Sequence, residues 1–205
     1  MAYKIVCQKI AACSIDIFNE ASLQLHLGTI IKDLGQLYEF SANDHFIIEL
    51  EKPFDKVYTS KSSGAARCDI ALSFKYDTEV VALAFIELKY FKVSCDSNSA
   101  EASKDNRFGL FMDIENLETY RERFEDSLCY EIAIAQNKIY ADPAARSSLK
   151  TGNGCWTDQS RTEEDGDNRA LVRYAKRKPI DLKGNYMFEW SSYADNEHCL
   201  IIKLQ

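Results

Sequence analysis

The chain has 205 residues, of which 46% are hydrophobic, so it is long enough to form one ordinary domain with a sizeable core. Its formal net charge of −7 differs from the basic composition typical of nucleic-acid binders, and its seven cysteines form no C-X-X-C pair, which argues against a zinc cluster or a disulfide framework. With neither a leader sequence nor an apolar run of about 18 residues, a single cytoplasmic domain spanning residues 1–205 is expected.

Hydrophobic periodicity predicts helices and strands along most of the chain. Apolar residues at helical spacing predict helices, and alternating or continuous short apolar runs predict strands. The predicted elements are a helix at about 18–38, strands at 46–50, 67–76 and 80–91, a helix at about 107–125, and strands at 130–140, 185–190 and 199–204. The last two strands are predicted to form a hairpin, with residues 195–197 in the turn between them.

The strands at 67–76 and 80–91 are predicted to pair as a hairpin. Only Asp77-Thr78-Glu79 separates them, which fits a tight connection between antiparallel strands. Counted from Thr78, Asp69 lies nine positions back and Glu87 nine positions forward. The two carboxylates are therefore expected to be near-opposite neighbours.

The tripeptide Glu87-Leu88-Lys89 closes the most apolar run in the chain. Alternation along a strand places Glu87 and Lys89 on one face and Leu88 on the other. Hard cations such as Mg²⁺ bind few protein oxygens and retain several waters, so Asp69, Glu87 and the Leu88 carbonyl could hold one ion. Such an ion would polarise a scissile phosphate and activate a water, with Lys89 assisting the attack.

This pattern resembles the PD-(D/E)XK nuclease superfamily, in which an aspartate on the second strand precedes Glu-X-Lys on the third. The resemblance implies an α/β fold with a restriction-endonuclease-like core, a mixed central sheet flanked by helices in the order α-β-β-β-α-β. It covers residues of about 14–140, and residues 141–205 form an extension with a C-terminal β-hairpin. Cys68 stands where the family's motif has its proline.

The resemblance also implies site residues on both helices. Glu20 sits where many members of the superfamily carry a further acidic residue, and Gln24 follows one helical turn later on the same face. Asn116 and Tyr120 resemble the Gln-X-X-X-Tyr motif of the recombination-exonuclease branch, with Asn replacing Gln. A polar helix face and a core tyrosine are the alternative interpretations of these residues.

Basic residues before the Asp69 strand and on a predicted helix at about 168–178 are candidates for contact with nucleic-acid phosphates. A solvated helix face is the alternative for the second group. The predicted nucleic-acid-binding residues are Lys61, Arg67, Arg173, Lys176, Arg177 and Lys178.

The predicted function is a Mg²⁺-dependent nuclease, with Mn²⁺ as a substitute ion, that acts as an endonuclease on DNA. Family resemblance implies a homodimer, because double-strand cleavage by small domains of this kind uses two active sites. Neither a Gly-rich phosphate loop nor a serine elbow occurs in the sequence. The alternatives are an inactive nucleic-acid-binding or protein-interaction module on the same fold, and a nuclease acting on RNA or on branched or single-stranded DNA.

Overall fold

A computed structural model describes residues 1–58, 65–92, 100–145, 147–160, 163–164, 170–172, 178–194 and 197–204. The helices are α1 (Ala2–Ala11), α2 (Glu20–Gln36) and α3 (Ala100–Arg123). The strands are β1 (Asp44–Tyr58), β2 (Ala65–Tyr76), β3 (Glu79–Phe91), β4 (Leu128–Ala135), β5 (Glu163–Glu164), β6 (Ala170–Leu171), β7 (Trp190–Ala194) and β8 (Glu197–Leu204). No helix among these residues is long and apolar enough to cross a membrane.

Six strands form one mixed sheet in the order β1-β2-β3-β4-β8-β7, and β5 and β6 pair separately. The β3–β4 pair is parallel, whereas the other neighbours in the large sheet are antiparallel. A parallel connection needs a crossover, and α3 provides it between β3 and β4. The predicted α/β class and the order of helix, three strands, helix and strand are thus observed from α2 to β4.

Alternation along β3 separates two apolar cores on the two faces of the sheet. Ile86 and Leu88 belong to a cluster with Leu23 and Leu27 of α2 and with residues of α1. Phe85 and Phe91 belong to a second cluster with the apolar residues of α3. Glu87 and Lys89 alternate with Ile86 and Leu88, so they lie on the α3 face of the sheet.

The predicted hairpin is present, and a bulge in it sets the register near the acidic residues. Tyr76 pairs with Glu79 across a two-residue turn, but the register shifts by one between Phe74 and Lys75, so that Ile70 pairs with Ile86. Continued by one position, this register sets Asp69 opposite Glu87. Without the bulge Asp69 would oppose Ile86 instead, because a one-residue slip exchanges the two faces of a strand.

The structure corrects two predicted strands and adds a helix at the start of the chain. The strand predicted at 130–140 ends at Ala135, because the Asn137 side chain accepts the Ile139 N–H and a 3-10 helix follows. In the strand predicted at 185–190, residues 186–188 pair with residues 154–157 rather than with the sheet. The hairpin strands are β7, which begins only at Trp190, and β8. Helix α1 was not predicted.

The basic helix predicted at about 168–178 is also wrong over the part that is described. Ala170–Leu171 is strand β6, and Val172 forms an antiparallel bridge with Ile180. The bridge is made by two backbone hydrogen bonds of 2.9 Å, which an extended chain supplies and a helix would not. Residues 173–177 lie outside the described residues.

Candidate functional site

Asp69 is fixed at the point where β2 separates from β3. The β2–β3 pairing ends at Ile70 and Ile86. Beyond this last pair, the Leu88 N–H donates to Asp69 Oδ2 over 2.7 Å. On α2, the Gln24 side-chain amide donates to the Asp69 carbonyl oxygen over 2.6 Å. The predicted site residues Asp69 and Gln24 are thus in contact, and the aspartate side chain is joined to the backbone of the Glu87-Leu88-Lys89 tripeptide.

Glu51 of β1 lies beside Asp69 and was not predicted. Leu50 pairs with Ile70 and Lys52 with Cys68, which leaves Glu51 opposite Asp69. Its φ of 51° is in the left-handed region, which is uncommon for a residue other than glycine and costs about 1–3 kcal/mol. The Gln24 amide also reaches Glu51 Oε1 at 3.2 Å, so one glutamine bridges β1 and β2.

Glu87 points into the space between the sheet and α3. It is 1% exposed, and the hydroxyl of fully buried Tyr120 donates to its Oε1 over 3.1 Å. Burial, together with the negative charge of Glu87, raises the pKa of the Tyr120 phenol well above its ordinary value. Tyr120 therefore stays protonated and acts as a hydrogen-bond donor to the carboxylate.

Lys89 is contacted by acidic residues of two helices. Its ammonium lies 2.7 Å from Asp113 Oδ2 of α3 and 3.2 Å from Glu20 Oε2 of α2. Burial disfavours the charged form of Lys89, but the carboxylates of Asp113 and Glu20 outweigh it and raise the pKa of the ammonium. Lys89 is thus a fixed cation at neutral pH. Asp113 was not predicted.

A capping box holds Glu20 at the start of α2. Asn19 Oδ1 accepts the Ser22 N–H over 2.8 Å, and Ser22 Oγ accepts the Asn19 N–H over 3.1 Å. These bonds satisfy backbone donors that a helix terminus leaves without partners, so the helix begins at a defined residue. The predicted acidic residue consequently reaches Lys89 from the first turn of the helix.

Glu131 of β4 is a buried carboxylate that sequence reasoning missed. It is the pairing partner of Glu87 across the parallel strands, and its side chain is 0% exposed. Neither carboxylate oxygen has a hydrogen-bond partner within the described part of the chain. Burial, with Asp113 and other nearby acids, raises the pKa of Glu131 well above its ordinary value. The sequence did contain one indication of this buried carboxylate, namely an acidic residue inside the otherwise apolar segment 128–135.

Asn116 lies on the same side of α3 as Asp113 and Tyr120. Asp113, Asn116 and Tyr120 are spaced three and four residues apart, which places them on one side of a helix. Asn116 is 2% exposed, and among the described residues its Oδ1 has no hydrogen-bond partner. The predicted Asn116 and Tyr120 therefore share a helix face, and Tyr120 is the one that touches a predicted site residue.

The predicted nucleic-acid contacts are only partly described. Arg67 and Lys178 are exposed, and Arg67 lies two residues before Asp69 on β2. The other four residues lie outside the described residues, namely Lys61, Arg173, Lys176 and Arg177.

The donor set at this site suits a hard cation. Lys89 is paired with Glu20 and Asp113, and Asp69 accepts the Leu88 N–H. The two oxygens of Glu131 have no hydrogen-bond partner in the described ranges. The described residues contain no group of three or more His, Cys, Asp or Glu placed to hold one metal ion. An ion here would thus take two carboxylates, a backbone carbonyl and waters, which is the coordination that Mg²⁺ accepts.

Comparison with known proteins gives no match: no family model, no curated protein and no solved structure is significantly similar to the chain. The resemblance to PD-(D/E)XK nucleases therefore stays a prediction. It rests on the residues of the site and on their arrangement.

Proposed function

We propose that the protein is a metal-dependent nuclease of the restriction-endonuclease-like, PD-(D/E)XK type that hydrolyses phosphodiester bonds in DNA as an endonuclease. The observation that carries the proposal is the junction of Asp69 with the Glu87-Leu88-Lys89 tripeptide, made by the Leu88 N–H that donates to Asp69 Oδ2 over 2.7 Å. Two acids and a lysine on adjacent strands are the groups that metal-assisted hydrolysis requires.

Asp69, Glu87 and the Leu88 carbonyl would hold Mg²⁺, with Mn²⁺ as a substitute. The ion would supply Lewis-acid polarisation of the phosphate and a bound water of lowered pKa. Gln24 fixes the backbone of Asp69 and Tyr120 fixes Glu87 Oε1, so neither ligand needs to reorganise much when an ion binds.

Lys89 would stabilise the negative charge that develops on the phosphate and would orient the attacking water. Its raised pKa keeps it charged, and Glu20 and Asp113 hold the ammonium from two helices. A preorganised cation contributes most where water is excluded, and the Lys89 side chain is only 12% exposed. Glu20, whose side chain is 42% exposed, is the acid of this pair that substrate or solvent can reach.

The substrate is proposed from the chemistry of the site. Phosphodiesters carry negative charge, so a chain of net charge −7 relies on bound ions and on local basic residues such as exposed Arg67. Cleavage of both DNA strands would use two copies of the site, which is the basis for proposing a homodimer. A cytoplasmic location is proposed with it.

One observation favours a second candidate, a module that binds nucleic acid or protein without cleaving it. Glu87 is 1% exposed and Lys89 is already engaged by two carboxylates, and a buried network of this kind can hold β3 to α2 and α3 without catalysis. A nuclease acting on RNA or on branched or single-stranded DNA would use the same site and differ only in its substrate surface.

A cleavage assay tests the proposal. The protein is incubated with plasmid, linear and single-stranded DNA and with RNA, in Mg²⁺, Mn²⁺ or EDTA, beside Asp69→Asn, Glu87→Gln and Lys89→Met. Cleavage by the wild type that EDTA and each substitution abolish is the expected result. Asp33→Asn, on an exposed part of α2, is the control and should cleave normally. Folded wild type that cuts nothing, or variants that cut equally well, would overturn it.

A further inference from the structure

The regular alternation of side chains reverses at the same level in β1 and β2. In β2, Ile70 belongs to the apolar cluster on the α1 and α2 side of the sheet, whereas Cys68, two residues earlier, belongs to the cluster on the α3 side. Residues two apart on a regular strand would share a face. The reversal in β2 therefore takes place at Asp69, the residue between them.

Strand β1 reverses beside it, after Leu50. Leu50 packs on α2, where its Cδ2 lies 3.4 Å from the position that a Cβ on Gly28 would occupy. Phe54, four residues later, lies on the other face, with its ring centroid 4.8 Å from that of Tyr120 on α3. Glu51 follows Leu50 directly and has a φ of 51°, which no regular strand contains. The left-handed residue thus lies where β1 changes face.

The reversal brings the Glu51 side chain to α2. Continued alternation from Leu50 would send it to the α3 face, yet Glu51 Oε1 accepts the Gln24 side-chain amide of α2 over 3.2 Å. The same amide donates to the Asp69 carbonyl oxygen over 2.6 Å, and Asp69 Oδ2 in turn accepts the Leu88 N–H. Glu51 is therefore the outer member of a chain of hydrogen bonds that ends at the Glu-Leu-Lys tripeptide.

Glu51 decides how the Gln24 amide is oriented. A side-chain amide has two N–H hydrogens and one carbonyl oxygen, so Gln24 can donate to two acceptors at once only in the observed orientation. If the amide were flipped, its carbonyl oxygen would face two acceptor oxygens. Gln24 is 9% exposed, so water offers little compensation. Backbone strain of the kind found at Glu51 persists where the surrounding structure imposes it, and it clusters at functional sites.

We propose that Glu51 is a positioning residue of the acidic site: it orients the Gln24 amide, which holds the backbone of Asp69 and so aims the carboxylate that would bind the metal ion. The part that concerns the ion rests on the proposed function. In this role Glu51 acts only through Gln24 and is not itself a ligand. Glycine adopts a φ of 51° without strain but cannot orient Gln24, so removal of the side chain should separate the stability of the fold from the geometry of the site.

The test compares Glu51→Gly with Glu51→Gln in the full-length protein, with Mn²⁺ as the probe. Glu51→Gly should unfold at the same urea concentration as the wild type or at a higher one, and titration calorimetry should show Mn²⁺ binding weakened about tenfold. Glu51→Gln keeps a side-chain oxygen that can accept from Gln24, so it should bind Mn²⁺ as the wild type does. In a Gln24→Leu background, Glu51→Gly should weaken binding no further, because both residues act in one chain.

Asp77→Gly is the matched control. Asp77 is an exposed residue of the β2–β3 turn with a φ of 53°, so glycine relieves a similar strain there without touching the site. It should bind Mn²⁺ as the wild type does. Glu51→Asn is the second variant, because asparagine tolerates the left-handed region but is one methylene too short to reach Gln24. It should weaken Mn²⁺ binding as Glu51→Gly does, and it decides the question where the glycine variant does not fold.

A metal-free measurement separates failure of this inference from failure of the proposed function. In NMR spectra of the metal-free protein, Glu51→Gly should move the resonances of the Leu88 backbone amide and the Gln24 side-chain amide, and Asp77→Gly should leave both in place. These shifts, in a protein whose wild type binds no Mn²⁺, would refute the proposed function and support the positioning of Asp69.

Three results would overturn the inference. The first is a Glu51→Gly spectrum in which both resonances stay in place, whether or not the protein cleaves DNA. The second is a Glu51→Gly variant that binds Mn²⁺ as tightly as a metal-binding wild type. The third is equal weakening by Glu51→Gln, which would make the Glu51 carboxylate itself a ligand.

Discussion

Glu87 and Glu131 stand side by side as pairing partners of the parallel strands β3 and β4, both buried and both acidic. Asp69 lies one residue beyond the end of the β2–β3 pairing, and its charge and that of Glu87 both act on Glu131, so the three acids form an acidic row. Like charges in a site of low polarity disfavour one another's ionisation, and Lys89 is the cation among the described residues whose charge opposes this effect at Glu131. The row therefore favours either a proton on Glu131 or a bound cation.

Glu131→Gln is expected to change the pH dependence of stability. The raised pKa means that folded Glu131 keeps a proton that the unfolded chain releases above the ordinary glutamate range, so stability falls as pH rises through that window. Below it, both states are protonated and the substitution has little effect. By pH 8 in metal-free buffer, Glu131→Gln should be more stable than the wild type in urea unfolding, because the neutral amide does not have to hold a proton to stay uncharged.

Glu118→Gln is the control for this prediction. Glu118 is also a buried glutamate, but its carboxylate accepts hydrogen bonds from the Lys183 and Gly184 N–H groups and from the Tyr186 hydroxyl. An amide replaces one of those acceptor oxygens with a donor, so this variant should be less stable at all pH values. An equal loss of stability in both variants would contradict the prediction for Glu131.

Lys89→Met is expected to destabilise the fold as well as to abolish cleavage. It removes the ammonium with which fully buried Asp113 is paired, and breaking a buried pair on one side costs about 3–5 kcal/mol. The double variant with Asp113→Asn should recover a large part of that loss. Urea unfolding measures the stability of the single and the double variant. Lys183→Met, which removes an exposed pair with Glu122, should cost less than about 1 kcal/mol.

Tyr120→Phe is expected to impair activity through Glu87. The change deletes the hydroxyl that donates to Glu87 Oε1, and loss of such a bond costs about 1–3 kcal/mol of stability. Tyr186→Phe deletes a similar bond, of 2.8 Å, to Glu118, which lies on a different side of α3 from Tyr120. Both variants should lose comparable stability, but only Tyr120→Phe should lower the cleavage rate, by about tenfold or more. Equal rates for the two would show that Tyr120 has a purely structural role.

Metal binding can be measured without any substrate. Titration calorimetry with Mn²⁺ should show binding to the wild type that EDTA reverses. Asp69→Asn should weaken it at least about tenfold, which corresponds to about 1.4 kcal/mol. Asp33→Asn should bind as the wild type does. If Asp69→Asn and wild type bind the ion equally, Asp69 is not a ligand.

The local sequence pattern was sufficient to predict α2, α3 and the β2–β3 hairpin. Hydrophobic periodicity and a short connection depend only on residues that are close together in the sequence. The near-opposition of Asp69 and Glu87 also followed from counting along that hairpin. The register has a different physical origin from the one expected. The turn is centred between Asp77 and Thr78 rather than on Thr78, and the bulge between Phe74 and Lys75 shifts the register back by one residue. Whether a strand forms a bulge depends on how its two faces pack, and a count of residues along the chain carries no information about packing.

Tertiary structure alone decided the partners that surround those residues. Asp113 reaches Lys89, and Glu131 lies beside Glu87, because α3 crosses over and returns the chain as a parallel strand. Contacts of such sequence separation depend on which surfaces pack together, and hydrophobic periodicity tells which face of an element is buried but not which element covers it.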